Sequence, residues 1–344
     1  MKNKFILILI AVIAAIILIP IPIKKLFKSK DVYRSINSSI NNNKNYFSDY
    51  STEENTVIYY IPHPDDETLS MGISILNDIK DDKNVQVVLF TEGEDSGAIS
   101  NINTKINRYH IIFRKYHTID RRDMANARLV EFMRASLILG IKPKNIHFED
   151  FRSGKLTELE CKQTMLKYKK MFPNSSGRTT STFDVNPDHR HLGQALFKLN
   201  EEGIIKDAAF FLSPEEWDKT IYGKINNVVT SIDMKSIEVP IKGSNPNLTL
   251  AFLDTLNSYN LWNPRDADYA VGYNSVKDYF ANVTQHKVSM LIPVKDIKVM
   301  NEGLIEVPPY RTYSQNTMNT IVKRILLTIQ HISNIWLKIG NIGL

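Results

Sequence analysis

An imidazole and three carboxyl groups lie in one short stretch, directly after a run of β-branched and aromatic side chains at residues 57–61. The four ionisable residues are His63, Asp65, Asp66 and Glu67. Pro62 and Pro64 interrupt any continuing strand, so the predicted strand ends here. The apolar positions that follow repeat at helical spacing, which places the acidic side chains at a helix N-terminus. The sequence therefore predicts a strand–turn–helix unit with four ionisable groups at its corner.

This corner suits a divalent metal ion, because His63 and Asp66 can bind one ion from a tight turn. A catalytic zinc commonly has a third protein ligand and one open coordination position. His189 is the candidate, since it follows a polar run and precedes apolar residues at helical spacing. Asp65 points elsewhere and is placed to take a proton from water at the metal. A structural alternative stays open, in which the acidic residues cap a solvated helix and His189 is a surface side chain.

The order of these motifs resembles that of a known family. The two main motifs read His63-Pro64-Asp65-Asp66-Glu67 and Pro187-Asp188-His189. They resemble the signature of the LmbE/PIG-L family, zinc-dependent deacetylases that remove the acetyl group from N-acetylglucosamine attached to various aglycones. Weaker similarity, in the family's order, is found at residues 87–94, 128–131, 139–141, 148–151 and 154–156. The resemblance covers roughly residues 56–200 and implies a Rossmann-like three-layer α/β fold with a mainly parallel sheet.

The resemblance also implies roles for individual residues. The implied ligands of one zinc ion, or of another divalent metal, are His63, Asp66 and His189. Asp65 would be the general base that takes a proton from zinc-bound water before attack on the acetyl carbonyl, and the products would be acetate and a free amino sugar. Arg128 would bind sugar hydroxyls, although its spacing to Glu131 equally suits a side-chain pair on one helix.

Two positions depart from the family pattern. The family commonly has a histidine three residues before the third ligand, and the candidate catalytic residue at that position is Asn186. Asparagine delivers no proton, and the loss of one oxyanion donor can cost about a hundredfold in rate, which argues against full activity. His191 is the nearest substitute, but its place on the helix directs it to another side. Ser153 stands where an acidic residue is often found before Gly154, which weakens the case for sugar recognition at that loop.

Strands and helices alternate along the rest of the domain. The predicted strands span residues 57–61, 85–91, 145–148, 208–212 and 228–232. The predicted helices span residues 68–80 and 122–139. Such alternation favours right-handed crossovers and a parallel sheet, in which ligands bind at the carboxyl ends of the strands. His63 and the acidic loop at residues 92–97 both fall at these ends.

Aromatic residues are concentrated among polar ones at residues 243–285. They include Tyr259, Trp262, Tyr269, Tyr273 and Tyr279. Ordinary packing is the favoured interpretation, and stacking on sugar rings is the alternative.

The chain begins with a candidate membrane anchor. Residues 5–23 are apolar and uncharged, which is long enough to cross a bilayer at about 1.5 Å per residue. The segment has no small-residue cleavage site, so an uncleaved single-pass helix is favoured over a signal peptide. Lysines flank both ends, and the expectation is that the catalytic domain faces outward, with a cytoplasmic domain as the alternative.

The sequence predicts four regions along the chain. They are an anchor at residues 1–30, a flexible tether at 31–55, a deacetylase-like domain at 56–290 and a C-terminal extension at 291–344. The extension includes isoleucines at helical spacing within residues 321–339, with basic residues between them. This predicted amphipathic helix either packs against the domain or lies on the membrane.

Composition narrows the classes of partner. The formal net charge of +6 comes partly from lysines beside the anchor, which favours an anionic membrane or wall polymer over nucleic acid. Cys161 is the only cysteine, which excludes an intramolecular disulfide and a cysteine-rich metal site. The expected partner is an N-acetylated amino sugar. Two alternatives stay open: a metal- or sugar-binding homologue with little catalysis, and another metal-dependent hydrolase, for example of phosphoesters.

Overall fold

The computed structural model describes residues 55–113, 118–217, 237–264 and 267–297. The predicted membrane anchor, the strand at 228–232 and the amphipathic helix at 321–339 lie outside these ranges. Within them, no helix combines the length and the apolar character needed to cross a membrane.

A seven-stranded mixed sheet forms the centre of the fold. The described residues form nine strands in two sheets: β1 (Thr56–Ile61), β2 (Asn84–Thr91), β3 (Ile146–Phe151), β4 (Ser176–Thr180), β5 (Ala208–Phe211), β6 (Glu238–Pro240), β7 (Trp262–Asn263), β8 (Asp268–Tyr269) and β9 (Val288–Pro293). The large sheet has the order β3-β2-β1-β4-β5-β9-β6, and β7 pairs with β8 separately. Strands β1 to β5 are parallel, which confirms the prediction of a mainly parallel α/β sheet. Strand β9 runs antiparallel to β5 and β6, an edge that was not predicted.

Helices cover both faces of this sheet. The main helices are α1 (Asp66–Leu69), α2 (Gly72–Lys80), α3 (Ala98–Phe113), α4 (Arg121–Ile138), α5 (Glu158–Met171), α6 (Pro187–Glu201), α7 (Pro246–Ser258) and α8 (Val271–His286). On one face, Tyr59 and Val87 belong to a core cluster with side chains from α2, α4 and α7. On the other, the ring of Tyr60 packs edge-on against Tyr168 of α5, with 6.5 Å between centroids. Every β1 side chain is buried, as expected for a parallel strand that is covered on both sides.

The predicted helix at residues 68–80 consists of two helices, α1 and α2. The backbone N–H groups of the two residues between them both bond the carbonyl of Asp66, at 3.0 and 3.2 Å, which closes α1 after one turn. The buried carboxyl group of Glu67 in α1 accepts a hydrogen bond from the Tyr259 hydroxyl at 2.5 Å. This contact ties the first turn of the helix to a residue far along the chain. The apolar periodicity of the sequence could not predict it.

Helix α6 begins in a way that brings its first turn close to the end of β4. Asn186 is the N-cap, and its side chain accepts a hydrogen bond from the backbone N–H of Asp188 at 3.0 Å. Pro187 occupies the first helical position, where a missing N–H costs nothing. A Cβ atom at Gly193 would overlap the backbone of Ser181, so glycine allows α6 to approach the loop after β4.

Candidate metal centre and active site

Three predicted ligands meet at the carboxyl ends of two neighbouring strands. Strands β1 and β4 are parallel and adjacent, so the turn after β1 and the helix after β4 lie at the same edge of the sheet. His63 and Asp66 follow β1, and His189 lies in the first turn of α6. All three side chains are buried. Among the described residues, this is the only group of its kind that could hold a metal ion.

The separations between the ligand atoms fit one small cation. His63 Nδ1 lies 3.0 Å from His189 Nε2, and His189 Nε2 lies 3.1 Å from Asp66 Oδ2. The remaining pair, His63 Nδ1 and Asp66 Oδ2, is 3.6 Å apart. Two ligand atoms at about 2.0–2.1 Å from a tetrahedral zinc ion are about 3.3 Å from each other. The three atoms therefore have the spacing of one face of such a tetrahedron.

A second carboxylate lies behind each histidine. The Nε2 atom of His63 is 3.0 Å from Asp188 Oδ2, and the Nδ1 atom of His189 is 3.0 Å from Asp184 Oδ2. In metal sites such a carboxylate accepts the N–H of the ring nitrogen that does not bind the metal, which fixes the tautomer. Two imidazoles and one carboxylate, supported in this way, form a donor set that suits zinc and related divalent metals.

Asp188 is itself held in place by backbone groups. Its Oδ2 atom accepts a hydrogen bond from the N–H of Gly154 at 2.6 Å, and its Oδ1 atom accepts one from Leu156 at 3.2 Å. Asp184 also has a second contact, since its Oδ1 atom accepts the N–H of Asn186 at 2.8 Å. The orientation of both imidazoles is therefore built into the loops that flank the site.

The electrostatics of this cluster favour a bound cation. Burial alone would lower the pKa of His189, but Asp66 and Asp184 raise it well above its ordinary value. Burial would likewise lower the pKa of His63, but hydrogen bonds to Asp188 and Asp66 raise it. Burial would raise the pKa of Asp66, yet the two imidazoles hold it far below its usual range. The cluster thus attracts protons, and a divalent cation would compensate the same negative charge.

Asp65 is not one of the converging ligands and instead faces a buried arginine. Its Oδ2 atom lies 2.9 Å from Arg128 Nη2. Burial raises the pKa of Asp65 to about 6, and the Arg128 guanidinium opposes that rise. The backbone of Asp65 has a φ of 115°, and its N–H donates to Glu67 Oε2 at 2.9 Å. Strain of this kind costs about 1–3 kcal/mol and persists where the surroundings enforce it, often at functional sites.

Arg128 lines the site, and its side chain is buried. Its guanidinium donates to the carbonyls of Pro64 and Gly93, in addition to the carboxylate of Asp65. The proposed alternative partner, Glu131, accepts hydrogen bonds elsewhere, from the first backbone N–H groups of α8 at 2.6 and 3.0 Å. The contacts therefore favour a role for Arg128 in positioning Asp65.

Asn186 and Ser153, the two positions that depart from the family pattern, both line the cavity that surrounds the three ligands. Asn186 reaches it, but its side-chain oxygen caps α6 as described above. Ser153 also lines it, and its backbone N–H donates to Glu94 Oε1 at 3.0 Å. His191 is absent from the lining, because its Nδ1–H donates to the Leu156 carbonyl at 2.7 Å. The prediction that His191 lies on another side of the helix agrees with this contact.

The cavity around the ligands has a volume of about 500 Å³, within the usual range for small-molecule sites. Most of its lining is polar and comes from the loop after β2, the start of α3, the loop after β5 and the start of α8. The lining residues outside the metal cluster include Gly93, Asp95, Ser96, Asn101, Ser213, Glu215, Asn274, Ser275 and Tyr279. The acidic loop at residues 92–97 therefore does lie at the site.

The sequence did not assign roles to Asp184, Asp188 or Glu67. The position of Asp188 could have indicated a role at the site, because it directly precedes a predicted ligand at the start of a helix. Asp184 could not be recognised from the sequence, because its contact with His189 depends on the path of the loop between β4 and α6. The partner of Glu67, Tyr259, had been interpreted as a packing residue, and it is indeed fully buried.

The chain is similar to a family model and, at low identity, to solved structures. Residues 58–200 match the model of the family PIG-L, described as GlcNAc-PI de-N-acetylase. No curated protein matches the chain. The N,N'-diacetylchitobiose deacetylase from Pyrococcus horikoshii is a similar solved structure, at 14% identity over 83% of this chain and 97% of that chain, with a TM-score of 0.45. The A40926 pseudoaglycone deacetylase Dbv21 is 14% identical over 69% of this chain and 95% of that chain, also with a TM-score of 0.45.

Proposed function

Residues 58–200 form a PIG-L (LmbE-like) domain, and from this premise we propose that the protein is a zinc-dependent N-deacetylase. Its substrate would be a glycoside or polymer that contains N-acetylglucosamine, and its products acetate and a free amino sugar. The observation that carries the proposal is the convergence of His63, Asp66 and His189, with Asp65 beside them but not among the ligand atoms.

His63, Asp66 and His189 would hold a divalent metal, which would polarise the acetyl carbonyl as a Lewis acid and lower the pKa of water. Asp65 then acts as the general base. Its Oδ2 atom is held by Arg128, and its Oδ1 atom takes the proton from the attacking water. Asp65 is buried beside the Arg128 guanidinium, which orients its carboxylate towards the site where the water would be bound.

The leaving amine also needs a proton, and Asn186 has none to deliver. Its side-chain oxygen is occupied by the N–H of Asp188, which makes it a helix cap in this chain. In the proposed mechanism Asp65 therefore returns the proton it has taken to the amine nitrogen. One carboxyl group can act first as the base and then as the acid, because the proton it has taken is the one it returns.

A binding protein with the same fold and little catalysis is the second candidate. The use of Asn186 as a cap is the observation that favours it, because no acid replaces the family's histidine at that position. The retention of Asp65 with its ion pair to Arg128 favours the enzyme, since a pure binding module has no need of a strained, buried base.

The proposal also includes the placement of the domain. The apolar segment at residues 5–23 would anchor a Rossmann-like three-layer domain as a single-pass membrane protein, with the domain facing outward. An outward domain would meet a wall polymer or an exported glycoside. Protease added to intact cells should then cleave the tether, whereas protection until lysis would place the domain in the cytoplasm.

Acetate release from a panel of N-acetylglucosamine conjugates, with and without chelator, tests the proposed function. The enzyme should release acetate from at least one conjugate, lose this activity with chelator and regain it with zinc. Saturable binding of the conjugates without acetate release would support the binding protein instead. Phosphate release from phosphoesters, with no acetate from amides, would support another metal-dependent hydrolase.

A further inference from the structure

A second cavity, of about 350 Å³, shares one wall with the candidate active site. This side cavity is lined by Lys105, Arg108, Asn260, Trp262, Tyr273 and Asn274. Asn274 lines both cavities, so the two cavities are adjacent. The side cavity contains none of the proposed metal ligands.

The charge in the side cavity is entirely positive among the described residues. Lys105 and Arg108 are exposed and lie one turn apart on α3, on the same face of the helix. In the described part of the chain, no carboxylate lines the cavity and neither residue forms an ion pair. Lys105 donates to the neutral amide of Asn274 and lies 5.6 Å from the centre of the Trp262 ring. Two positive charges therefore face a space with no fixed negative charge, which raises the local concentration of anions.

The side chain of Asn274, which lies between the two cavities, is held by hydrogen bonds to the backbone. The Nδ2 group of Asn274 donates to the carbonyls of Tyr269 and Ala270, both at 2.9 Å. The first two backbone N–H groups of α8, at Val271 and Gly272, already donate to the carboxylate of Glu131. The two basic side chains of α3 are thus the groups that would meet a negatively charged ligand here.

We propose that the side cavity binds a carboxylate or phosphate group on the aglycone of the substrate. This inference rests on the proposed function and specifies its substrate as a negatively charged glycoside. Such a ligand would place its acetamido group at the metal ligands and its anionic group against Lys105 and Arg108. A guanidinium binds either anion through paired hydrogen bonds, and an ammonium adds a point charge. The rings of Trp262 and Tyr273 offer apolar surface to the part of the aglycone in between.

Binding of matched charged and neutral glycosides tests this proposal. The probes are the 4-carboxyphenyl, 4-phosphonooxyphenyl and 4-carbamoylphenyl glycosides of glucosamine, which are already deacetylated and are not turned over. Calorimetry on the zinc-loaded, full-length protein should show at least one anionic probe binding roughly tenfold more tightly than the neutral one at low salt. The preference should shrink in high salt, because exposed charges are screened.

Variants assign the preference to the side cavity. Lys105→Gln and Arg108→Gln should each reduce it to roughly threefold, and the double variant should abolish it while the neutral probe binds as before. Lys142→Gln, an exposed lysine that does not line the cavity, should keep the full preference. Equal binding of charged and neutral probes, or an unchanged preference in the double variant, would overturn the proposal.

The same protein preparations separate this outcome from failure of the proposed function. Acetate release from the N-acetylated 4-carbamoylphenyl glycoside tests the deacetylase itself, and Lys142→Gln, which changes a side chain outside both cavities, should show the wild-type rate. Absence of acetate release in the wild type would reject the deacetylase. The binding ratio, measured on the glucosamine probes, would still decide whether the side cavity selects an anion.

Discussion

Replacing Asp184 by asparagine should weaken zinc binding without removing a ligand. The Oδ2 atom of Asp184 accepts from His189 Nδ1 at 3.0 Å, while its Oδ1 atom accepts from the N–H of Asn186 at 2.8 Å. Asparagine has one acceptor oxygen for these two donors. If the oxygen faces Asn186, the amide NH2 faces the imidazole and favours the tautomer with a proton on Nε2, the atom assigned to the metal.

The magnitude follows from the loss of that one supporting bond. Removal of a carboxylate behind a metal-bound histidine typically costs about 10–100-fold in metal affinity, which corresponds to about 1.4–2.7 kcal/mol. Competition for zinc between the metal-free protein and a fluorescent chelator measures the affinity directly. Circular dichroism and thermal unfolding of the metal-free protein check that the fold survives.

A matched variant controls for the lost charge. Asp207→Asn removes a carboxylate from an exposed ion pair with Arg178, away from the metal cluster, and should leave zinc affinity unchanged. Unchanged affinity in folded Asp184→Asn would refute the idea that this carboxylate sets the tautomer of His189. An equal loss in Asp207→Asn would show that net charge alone explains the effect.

Three further changes follow from contacts described above. Asp65→Asn should keep about one zinc per chain but lower the rate of acetate release by on the order of a hundredfold or more, because it removes the base and leaves the ligands; an unchanged rate would show that Asp65 is wrongly assigned. Asn186→His should speed acetate release, because histidine supplies an acid. The same change should lower the free energy of unfolding by about 1 kcal/mol, because the N-cap of α6 is lost. Asn186→Ala should show this loss of stability without the gain in rate. Burial lowers the pKa of His147 to about 4, below its unfolded value near 6.5, so stability is present above pH 6.5 and is lost as the pH falls towards 4. His147→Gln is the comparison, because glutamine can keep the contact with Gln86 but does not titrate. Between pH 7 and pH 5, denaturant titrations should show the wild type losing about 2 kcal/mol more free energy of unfolding than this variant. An equal loss in the two proteins would contradict the role given to His147.

The metal cluster could be predicted from sequence because its chemistry depends on residue type and on strand ends. His63 and Asp66 follow an apolar run that ends at prolines, and His189 begins a helix after a polar loop. Parallel strands bring such positions to one edge of the sheet whatever the detailed path of the loops. The side of the helix on which His191 lies could be judged in the same way, from helical geometry alone.

Features that depend on distant parts of the chain could not be predicted. Glu131 was considered as a partner for Arg128 from helical spacing, but it bonds the start of α8, far along the chain. Helix α3 was not predicted, because polar residues separate Ala98, Ile102 and Ile106, the buried positions among its described side chains. Strand β6, with only three residues, gives too short a pattern to recognise.

Zinc titration of the metal-free protein, with acetate release as the readout, tests the central claim most directly. With a conjugate that the wild type hydrolyses, the rate should rise in proportion to added zinc and level off at about one equivalent per chain. His189→Ala should fail to recover activity at the same zinc concentrations, since one of the three converging ligands is gone. Full acetate release by metal-free protein, or recovery of His189→Ala along the wild-type curve, would contradict a deacetylase built on His63, Asp66 and His189.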